Sequence, residues 1–368
     1  MALRQRIIVK AGSCKYPVIF SRHRRQLENI IGSADRVIII SNPTVFSLHG
    51  DAFVDNYLPG NLEVVLLLME DGELFKTQKT VHTLYDRLFN IRLGRCDTII
   101  AFGGGVVGDT AGFTAATYMR GVGLIQAPTT LLAMVDSSIG GKVGINHARG
   151  KNLIGAFYQP RAVVVDPVWL TTLGRREMVE VLAEIIKVGF LSSAKFLHEA
   201  IDTEPVFSPG QKKRVNHLIQ EAMKFKADVV GQDANDRGVR AILNFGHTFA
   251  HAIEKVEGFR KYRHGEAVLA GMVGAFYLSY ASGHLTKSRM KEYQGCLSQF
   301  VKHLAPLKRK AGDYLSPMYV DKKSSNGRLQ FVLLEKIGCA VLRTVRSEKK
   351  VLEAIEFMKE FVNHKGNL

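Results

Sequence analysis

Short apolar runs recur through the first half of the chain and constrain its fold more than any other feature. They are rich in β-branched residues, they end in turn-forming, acidic or glycine-rich stretches, and they span residues 37–40, 64–68, 98–102, 124–125 and 162–165. Strands that are apolar along their whole length lie in parallel sheets whose two faces are both covered by helices. The pattern therefore predicts an α/β domain, with residues 6–10 as a further, first strand.

The second half of the chain has a different period. Apolar residues fall at helical spacing over 177–190, 211–230, 239–256 and 265–282, and one strand-like run follows at 329–334. We therefore predict an α/β plus α fold. It consists of an N-terminal Rossmann-like parallel-sheet domain over residues 1–172 and a mainly α-helical domain over residues 173–368.

The composition excludes several classes of protein. The chain has 368 residues, of which 46% are hydrophobic, so it can bury two ordinary cores. It has no run of 18 apolar residues, and we predict no membrane partner. Its first 25 residues are basic but lack the apolar core of a secretory signal, so they are expected to belong to the fold. The four cysteines are far apart, which is typical of reduced thiols and predicts a cytoplasmic location.

The net charge of +16 has two interpretations. It can mark a nucleic-acid-binding surface, or it can reflect anionic small ligands and a solvated surface. The basic clusters are not interleaved with aromatic residues, and no zinc-finger or RNA-recognition signature occurs. This pattern favours small anionic ligands and a solvated surface, and it predicts no nucleic-acid partner.

A glycine-rich turn follows one of the strand-like runs. Gly103, Gly105 and Gly108 have the G-x-G-x-x-G spacing that lets a backbone approach a phosphate at the start of a helix. The dinucleotide fingerprint also carries an acidic residue about 20 positions later, which binds the ribose. Residues 126–128 are Gln-Ala-Pro, so the turn either holds a dinucleotide differently or is a tight strand–helix connection.

Possible metal ligands occur in the helical half. His247 and His251 are four residues apart and share a helix face, His264 follows soon after, and Glu184 precedes Lys187 by three positions. One carboxylate with two imidazoles is a common catalytic zinc set. Two histidines on an amphipathic helix also occur as structural polar residues, so the sequence alone leaves both interpretations open.

A glycine-rich basic stretch separates these two features. Residues 136–146 and 149–152 combine glycines, amide side chains and two lysines, Lys142 and Lys151. A loop of this kind suits a phosphate or carboxylate, although an exposed basic loop has the same composition. A phosphate-binding turn, a metal set and a second anion site in one chain strengthen the functional interpretation of each.

Taken together, these stretches resemble the dehydroquinate synthase family. The similar segments are 71–76, 103–151, 152–160, 183–187, 240–254 and 264–268. The resemblance implies an NAD-binding α/β domain, a helical domain that holds a divalent metal (zinc or cobalt) and the substrate, and a homodimer. It also implies conversion of 3-deoxy-D-arabino-heptulosonate 7-phosphate to 3-dehydroquinate and phosphate in the shikimate pathway, with NAD used catalytically.

The resemblance implies a role for each matching residue. The metal ligands would be Glu184, His247 and His264, with His251 as a proton carrier beside the metal. The residues that would contact the substrate are Asp136 and Lys187 at its hydroxyls, Arg240, Lys226 and Asn244 at its carboxylate, and Lys142, Asn152, one of Lys322 or Lys323, and the partner subunit's Arg120 at its phosphate. The residues that would bind NAD are Asp71, Glu73, Lys76, Gly103, Gly104, Gly105, Val106, Asp109, Thr129, Thr130, Lys142 and Lys151.

The chain departs from the family in one acidic motif. The usual Asp-Glu-x-Glu is replaced by residues 233–236, which read Asp-Ala-Asn-Asp, and Asp236 is expected to orient Arg240 or Lys226 with a shorter reach. Two other activities compete with the predicted one. Sister cyclases make inosose, valiolone-type or aminodehydroquinate products, and Arg240 and Asn244 argue against the inosose type, whose substrates lack a carboxylate. A metal-dependent polyol dehydrogenase would release NADH.

Overall fold

The computed structural model describes residues 6–20, 24–32, 36–202, 212–258, 261–320 and 328–367. These residues form two compact units. The first contains the described residues up to Leu173 and those of 212–236, and the second contains 174–202 and the described residues from Arg237 onward. The two consecutive domains predicted from the sequence remain a prediction. The compact units differ from them in one respect, because residues 212–236 pack with the first unit.

The first unit alternates strands with helices. In chain order its elements are β1 (Arg6–Ala11), β2 (Cys14–Ile19), α1 (Arg24–Ile31), β3 (Arg36–Ser41), α2 (Pro43–Tyr57), β4 (Glu63–Leu68), α3 (Gln78–Asn90), β5 (Thr98–Gly103), α4 (Gly105–Thr117), β6 (Gly123–Pro128), β7 (Lys142–His147), β8 (Gly150–Phe157), β9 (Ala162–Val164) and α7 (Lys212–Gln232). Short 3-10 helices cover Glu73–Phe75, Tyr118–Arg120 and Pro167–Thr172, and a π-helical turn covers Ala133–Ser137.

Among the described residues, seven strands form one sheet in the order β1-β2-β9-β6-β5-β3-β4. Only the β1–β2 pair is antiparallel, and every residue of β5 and β6 is buried, which confirms the predicted parallel-sheet fold. The chain passes from β3 outward to β4 and then returns to β5 on the other side of β3. Ligands of such sheets bind where the strand order reverses, at the carboxyl ends of the two central strands. Here those ends are Ser41 and Gly103.

The basic stretch predicted as a loop is instead a β-hairpin. β7 and β8 pair in antiparallel register, and the chain reverses at residues 148–149. The glycines of this segment are compatible with strands because they let the two paired backbones come close together. A Cβ on Gly144 would lie 2.5 Å from the carbonyl oxygen of Ile154, so the two backbones approach too closely for any side chain.

The second unit is mainly helical, as predicted. Its elements are α5 (Arg175–Ser192), α6 (Ala194–Ile201), α8 (His247–Glu257), α9 (His264–Ala281), α10 (Lys287–Val301), α11 (Ala311–Val320), β10 (Leu329–Lys336), β11 (Cys339–Val345) and α12 (Glu348–Asn363). Helix α9 is apolar on nearly all sides and packs against α5, α8, α10 and α12, so it forms the centre of this unit. Within the described part of the chain, no helix is both long and apolar enough to span a membrane.

The prediction of one continuous helix over 239–256 is wrong. A 3-10 helix covers Val239–Asn244, and α8 begins only at His247. Gly246, between them, has a φ of 77°, which a residue with a side chain rarely adopts. This break also lets α8 approach α9, because a Cβ on Gly271 would lie 2.3 Å from the Gly246 carbonyl oxygen. His247 is thereby the first residue of its helix.

Candidate metal and cofactor sites

Three predicted metal ligands converge in the second unit. Glu184 lies on α5, and His247 and His264 are the first residues of α8 and α9. The Oε1 atom of Glu184 is 3.5 Å from Nε2 of His247 and 3.4 Å from Nε2 of His264. One ligand atom of each residue lies within 4.8 Å of the other two, a spacing at which a single cation can contact all three.

The two imidazoles are held in the same way. Nδ1 of His247 is 3.2 Å from the carbonyl oxygen of Phe245, and Nδ1 of His264 is 3.1 Å from Oε1 of Glu254. A carbonyl and a carboxylate only accept hydrogen bonds, so each Nδ1 carries a proton. In the neutral ring, each Nε2 then presents a lone pair towards Glu184, which is the arrangement of metal-binding histidines.

Glu184 is buried and ionised. Its Oε2 is 2.5 Å from the Lys187 ammonium, whereas its Oε1 has no hydrogen-bond partner among the described residues. Burial alone would raise the pKa of Glu184, but Lys187 and the two imidazoles hold that pKa well below its usual range. A buried anionic oxygen that only the two Nε2 atoms approach, at 3.4 and 3.5 Å, is poorly satisfied, and a divalent cation would satisfy it. The donor set therefore fits a metal.

The two histidines differ in proton affinity. Burial, together with the nearby Lys187 ammonium, holds the pKa of His247 well below its usual range. Burial also acts to lower the pKa of His264, but Glu184 and Glu254 on its two sides raise that pKa to about 10. A cation at Nε2 of His264 would therefore replace a proton, as is usual when metals bind to histidine.

His251, Arg240 and Asn244 also belong to this unit. The ring of His251 lies 5.7 Å from that of His247 and perpendicular to it, and His251 is outside the ligand group found among the described residues. Arg240 is buried within the 3-10 helix, and Asn244 Nδ2 donates to the Ala241 carbonyl at 3.1 Å. A buried guanidinium is a charge that can bind a carboxylate through two parallel hydrogen bonds.

The glycine turn of the first unit has the features of a phosphate site. A Cβ on Gly103 would lie 2.6 Å from Cβ of Val107, and one on Gly108 would lie 2.9 Å from Oε1 of Gln126. Gly104 precedes α4 without a side-chain cap, so the first N–H groups of the helix are available to an anion. Oγ1 of Thr129 is also buried without a partner among the described residues. These groups fit a nucleotide.

Lys76 connects the predicted cofactor residues. Its buried ammonium lies 2.5 Å from Oδ2 of Asp109 and also donates to Oδ1 of Asn152. Burial raises the pKa of Asp109, and Lys76 opposes that rise. The resemblance places Asn152 at the substrate phosphate. Its hydrogen bond from Lys76 therefore connects it to the acidic segment that precedes α3.

Asn146 is a connecting residue that the sequence did not single out. Its Nδ2 donates to Oε1 of Glu73 at 2.8 Å, and its Oδ1 accepts from the Asn152 backbone at 2.9 Å. It supports Asn152 in a left-handed conformation, with φ of 53°. Only its position in the glycine-rich stretch indicated that it could matter. Asp71 has a different partner, since its Oδ2 accepts from Thr44 at 3.0 Å.

Two further ion pairs fix charged residues of the first unit. The Lys226 ammonium donates to the carboxylate and the backbone carbonyl of Asp136. The expectation that Asp236 orients Arg240 or Lys226 is wrong, because its carboxylate pairs with Lys142. Asp236 has a φ of 54°, which turns the chain at the end of the segment that follows α7. Its short side chain then contacts β7.

Four further predicted residues belong to the first unit. Thr130 Oγ1 accepts from the backbone of Ala133 at 3.2 Å, and Val106 is in the first turn of α4. Arg120 is exposed with a φ of 65°, and Lys151 is exposed on β8. Lys322 and Lys323 lie outside the described residues.

Comparison with known proteins agrees with this geometry. Residues 66–180 match the family "3-dehydroquinate synthase N-terminal" and residues 181–324 match "3-dehydroquinate synthase C-terminal". The chain is 42% identical to a 3-dehydroquinate synthase of Pelotomaculum thermopropionicum over 94% of each chain. It is 44% identical to one of Halorhodospira halophila over 84% of this chain and 86% of that protein.

A solved structure is also similar over nearly the whole length. It is a 2-deoxy-scyllo-inosose synthase complexed with carbaglucose-6-phosphate, NAD+ and Co2+. The TM-score is 0.84 at 26% identity, and the match covers 97% of this chain and 99% of that one.

Proposed function

The chain belongs to the 3-dehydroquinate synthase family, and we propose that it catalyses the reaction named by that family. It converts 3-deoxy-D-arabino-heptulosonate 7-phosphate to 3-dehydroquinate and phosphate. The observation that carries the proposal is the convergence of Glu184, His247 and His264 on one cation-sized position.

The residues present fit both implied groups. Glu184, His247 and His264 would hold zinc or cobalt, because one anionic oxygen and two imidazole nitrogens already converge there. The uncapped start of α4 and the buried Thr129 hydroxyl would hold NAD. When bound, the metal polarises adjacent substrate hydroxyls, and NAD accepts and later returns a hydride.

Different polar side chains bind the carboxylate, the phosphate and the hydroxyls of the substrate. Arg240, with Asn244 and Lys226, pairs with the carboxylate, because a guanidinium fork matches two oxygens. Lys142 and Asn152 bind the phosphate, together with Lys322 or Lys323 and the partner subunit's Arg120. Asp136 and Lys187 contact the hydroxyls. Lys187 is already fixed by its ion pair with Glu184, so it loses little freedom when the substrate binds.

His251 is the group best suited to move a proton. It lies one turn beyond His247 on the same helix face and is half-buried. An imidazole has one nitrogen that accepts a proton and one that donates, so it can take a proton from a substrate hydroxyl and return it.

The buried Arg240 favours this substrate over those of related cyclases. Substrates of the inosose type have no carboxylate, so they cannot form the two parallel hydrogen bonds that a guanidinium makes to a carboxylate. A polyol dehydrogenase of the same architecture would differ in its net production of NADH.

The direct test measures phosphate release from the heptulosonate phosphate with catalytic NAD and added Co2+ or Zn2+, while absorbance reports NADH. We expect phosphate and dehydroquinate in equal amounts with no net NADH. A folded, metal-loaded enzyme that releases no phosphate would contradict the proposed substrate, and steady accumulation of NADH would indicate a dehydrogenase.

Asp236 is expected to compete with phosphate for Lys142. In Asp236→Asn the carboxylate charge is removed, so the Lys142 ammonium is free to bind phosphate. A partly exposed ion pair of this kind contributes about 0.2–1 kcal/mol, so inorganic phosphate should inhibit the variant at concentrations up to about fivefold lower. Product-inhibition kinetics measure the change.

Asp228→Asn is the matched control for this prediction. Asp228 is exposed on α7, so the substitution makes the same change in net charge without altering a contact of Lys142. Equal inhibition constants for the parent and Asp236→Asn would contradict the competition.

A homodimer is part of the same proposal. Leu153 and Phe157 are exposed on β8, at 37% and 48%, and Met119 is exposed beside Arg120. Met119 is the chain neighbour of the proposed trans-acting Arg120, so its exposed apolar side chain supports an interface at that position. Sedimentation should give twice the chain mass of 40.8 kDa, and a monomer would contradict it. A cytoplasmic location also remains a prediction.

A further inference from the structure

Glu254 is a buried acid that none of the roles above uses. It lies on α8, seven positions after His247 and therefore on the same helix face. Glu254 is only 7% exposed, and its Oε1 is 3.1 Å from Nδ1 of His264. Lys, Glu, Arg and Asp are rarely buried without a specific partner, so this contact calls for a functional explanation.

The contact fixes both the tautomer and the direction of the His264 ring. A carboxylate accepts but does not donate, so the proton must reside on Nδ1. With Nδ1 directed at Glu254, Nε2 lies 3.4 Å from Oε1 of Glu184, on the other side of the ring. The same bond therefore leaves Nε2 as the atom that can bind a metal.

His264 needs such a partner more than His247 does. The Nδ1 atom of His247 is held by the Phe245 carbonyl, a backbone group two residues away. The Nδ1 atom of His264 faces a side chain of the neighbouring helix instead. His264 is also the more exposed of the two, with 27% of its side chain accessible against 10% for His247.

A second acid near His264 has a different task. Oε2 of Glu266 accepts from the backbone N–H of Arg263 at 2.9 Å and caps the start of α9. Glu266 thus stabilises the helix that carries His264, whereas Glu254 contacts the imidazole itself.

We propose that Glu254 is a positioning residue that orients His264 through its Nδ1–H and thereby raises the affinity of the metal site. The inference rests on the proposed metal centre, in which His264 is a ligand through Nε2. Carboxylates that accept from the outer nitrogen of a metal-bound histidine typically change metal affinity by about 10- to 100-fold.

The experiment titrates metal-free protein with Co2+ and follows both the affinity and the visible spectrum of the bound ion. Glu254→Ala should bind Co2+ about 10- to 100-fold more weakly, with altered absorption bands because the ring turns. Glu254→Gln keeps an amide oxygen that accepts from Nδ1, so it should retain the parent spectrum and most of the affinity. Glu266→Gln, the matched control, should bind Co2+ as the parent does.

Each result decides the proposal. Unchanged affinity and spectrum in Glu254→Ala would overturn it, and so would an equal loss in the Ala and Gln variants with unchanged bands, which would indicate charge alone. Glu254→Gln is nearly isosteric, so it serves if the Ala variant does not fold. Glu184→Ala tests the metal centre separately. If this variant binds Co2+ as the parent does, the metal assignment is wrong. If Glu184→Ala binds Co2+ weakly while Glu254→Ala binds it as the parent does, only the role proposed for Glu254 is wrong.

Discussion

Replacing His264 with alanine is expected to reduce turnover by about a thousandfold or more while the protein stays folded. Loss of a metal ligand removes several kcal/mol of charge stabilisation from the reacting hydroxyls, and each 1.4 kcal/mol or so is tenfold in rate. The fold should survive because His264 is partly exposed at the very start of α9, outside the apolar contacts that hold this helix. Phosphate-release kinetics and thermal melting measure the two effects.

His284→Ala is the matched control for this prediction. His284 also places Nδ1 near a carboxylate, 3.3 Å from Oε1 of Glu335, and 21% of its side chain is exposed. It lies outside the ligand group, so its loss should leave turnover unchanged. Full activity of His264→Ala, or of the parent after verified removal of metal, would contradict the metal assignment.

The parts of the fold that the sequence predicted correctly depend on local pattern. The apolar β-branched runs became β3, β4, β5, β6 and β9, because burial on both faces of a parallel sheet imposes that composition. The helical period likewise placed α5 and α9 nearly where they begin and end. The choice of Glu184, His247 and His264 as metal ligands came from the family resemblance, because the residues alone also allowed a structural role for the histidines.

The parts that the sequence did not predict depend on partners far along the chain. Helix α7 has an ordinary amphipathic pattern, and nothing in it indicates that it packs against β1, more than 200 residues earlier in the chain. The ion pair between Asp236 and Lys142 could not be predicted for the same reason, because a charged side chain can pair with any opposite charge within reach. Glu254 looked like one more surface acid until the packing of α8 on α9 placed it against His264.

Replacing Arg240 with alanine is expected to weaken substrate binding by about 2–5 kcal/mol, which is a loss of roughly 30-fold to several thousandfold. Arg240 is buried, so the substrate carboxylate would lose a charge-assisted pair in a place that water cannot easily compensate. Calorimetric titration with the substrate, in the absence of NAD so that no turnover occurs, measures the affinity directly.

Two further variants separate this effect from a general disturbance. Arg240→Lys keeps the charge but offers one ammonium instead of a planar fork, so it should recover only part of the lost affinity. Arg343→Ala removes an exposed arginine of β11 whose Nη1 donates to the Leu342 carbonyl, and it should bind the substrate as the parent does. Equal substrate affinity in a folded Arg240→Ala variant would mean that the carboxylate is bound elsewhere. Arg240 would then no longer discriminate against the carboxylate-free substrates of inosose-type cyclases.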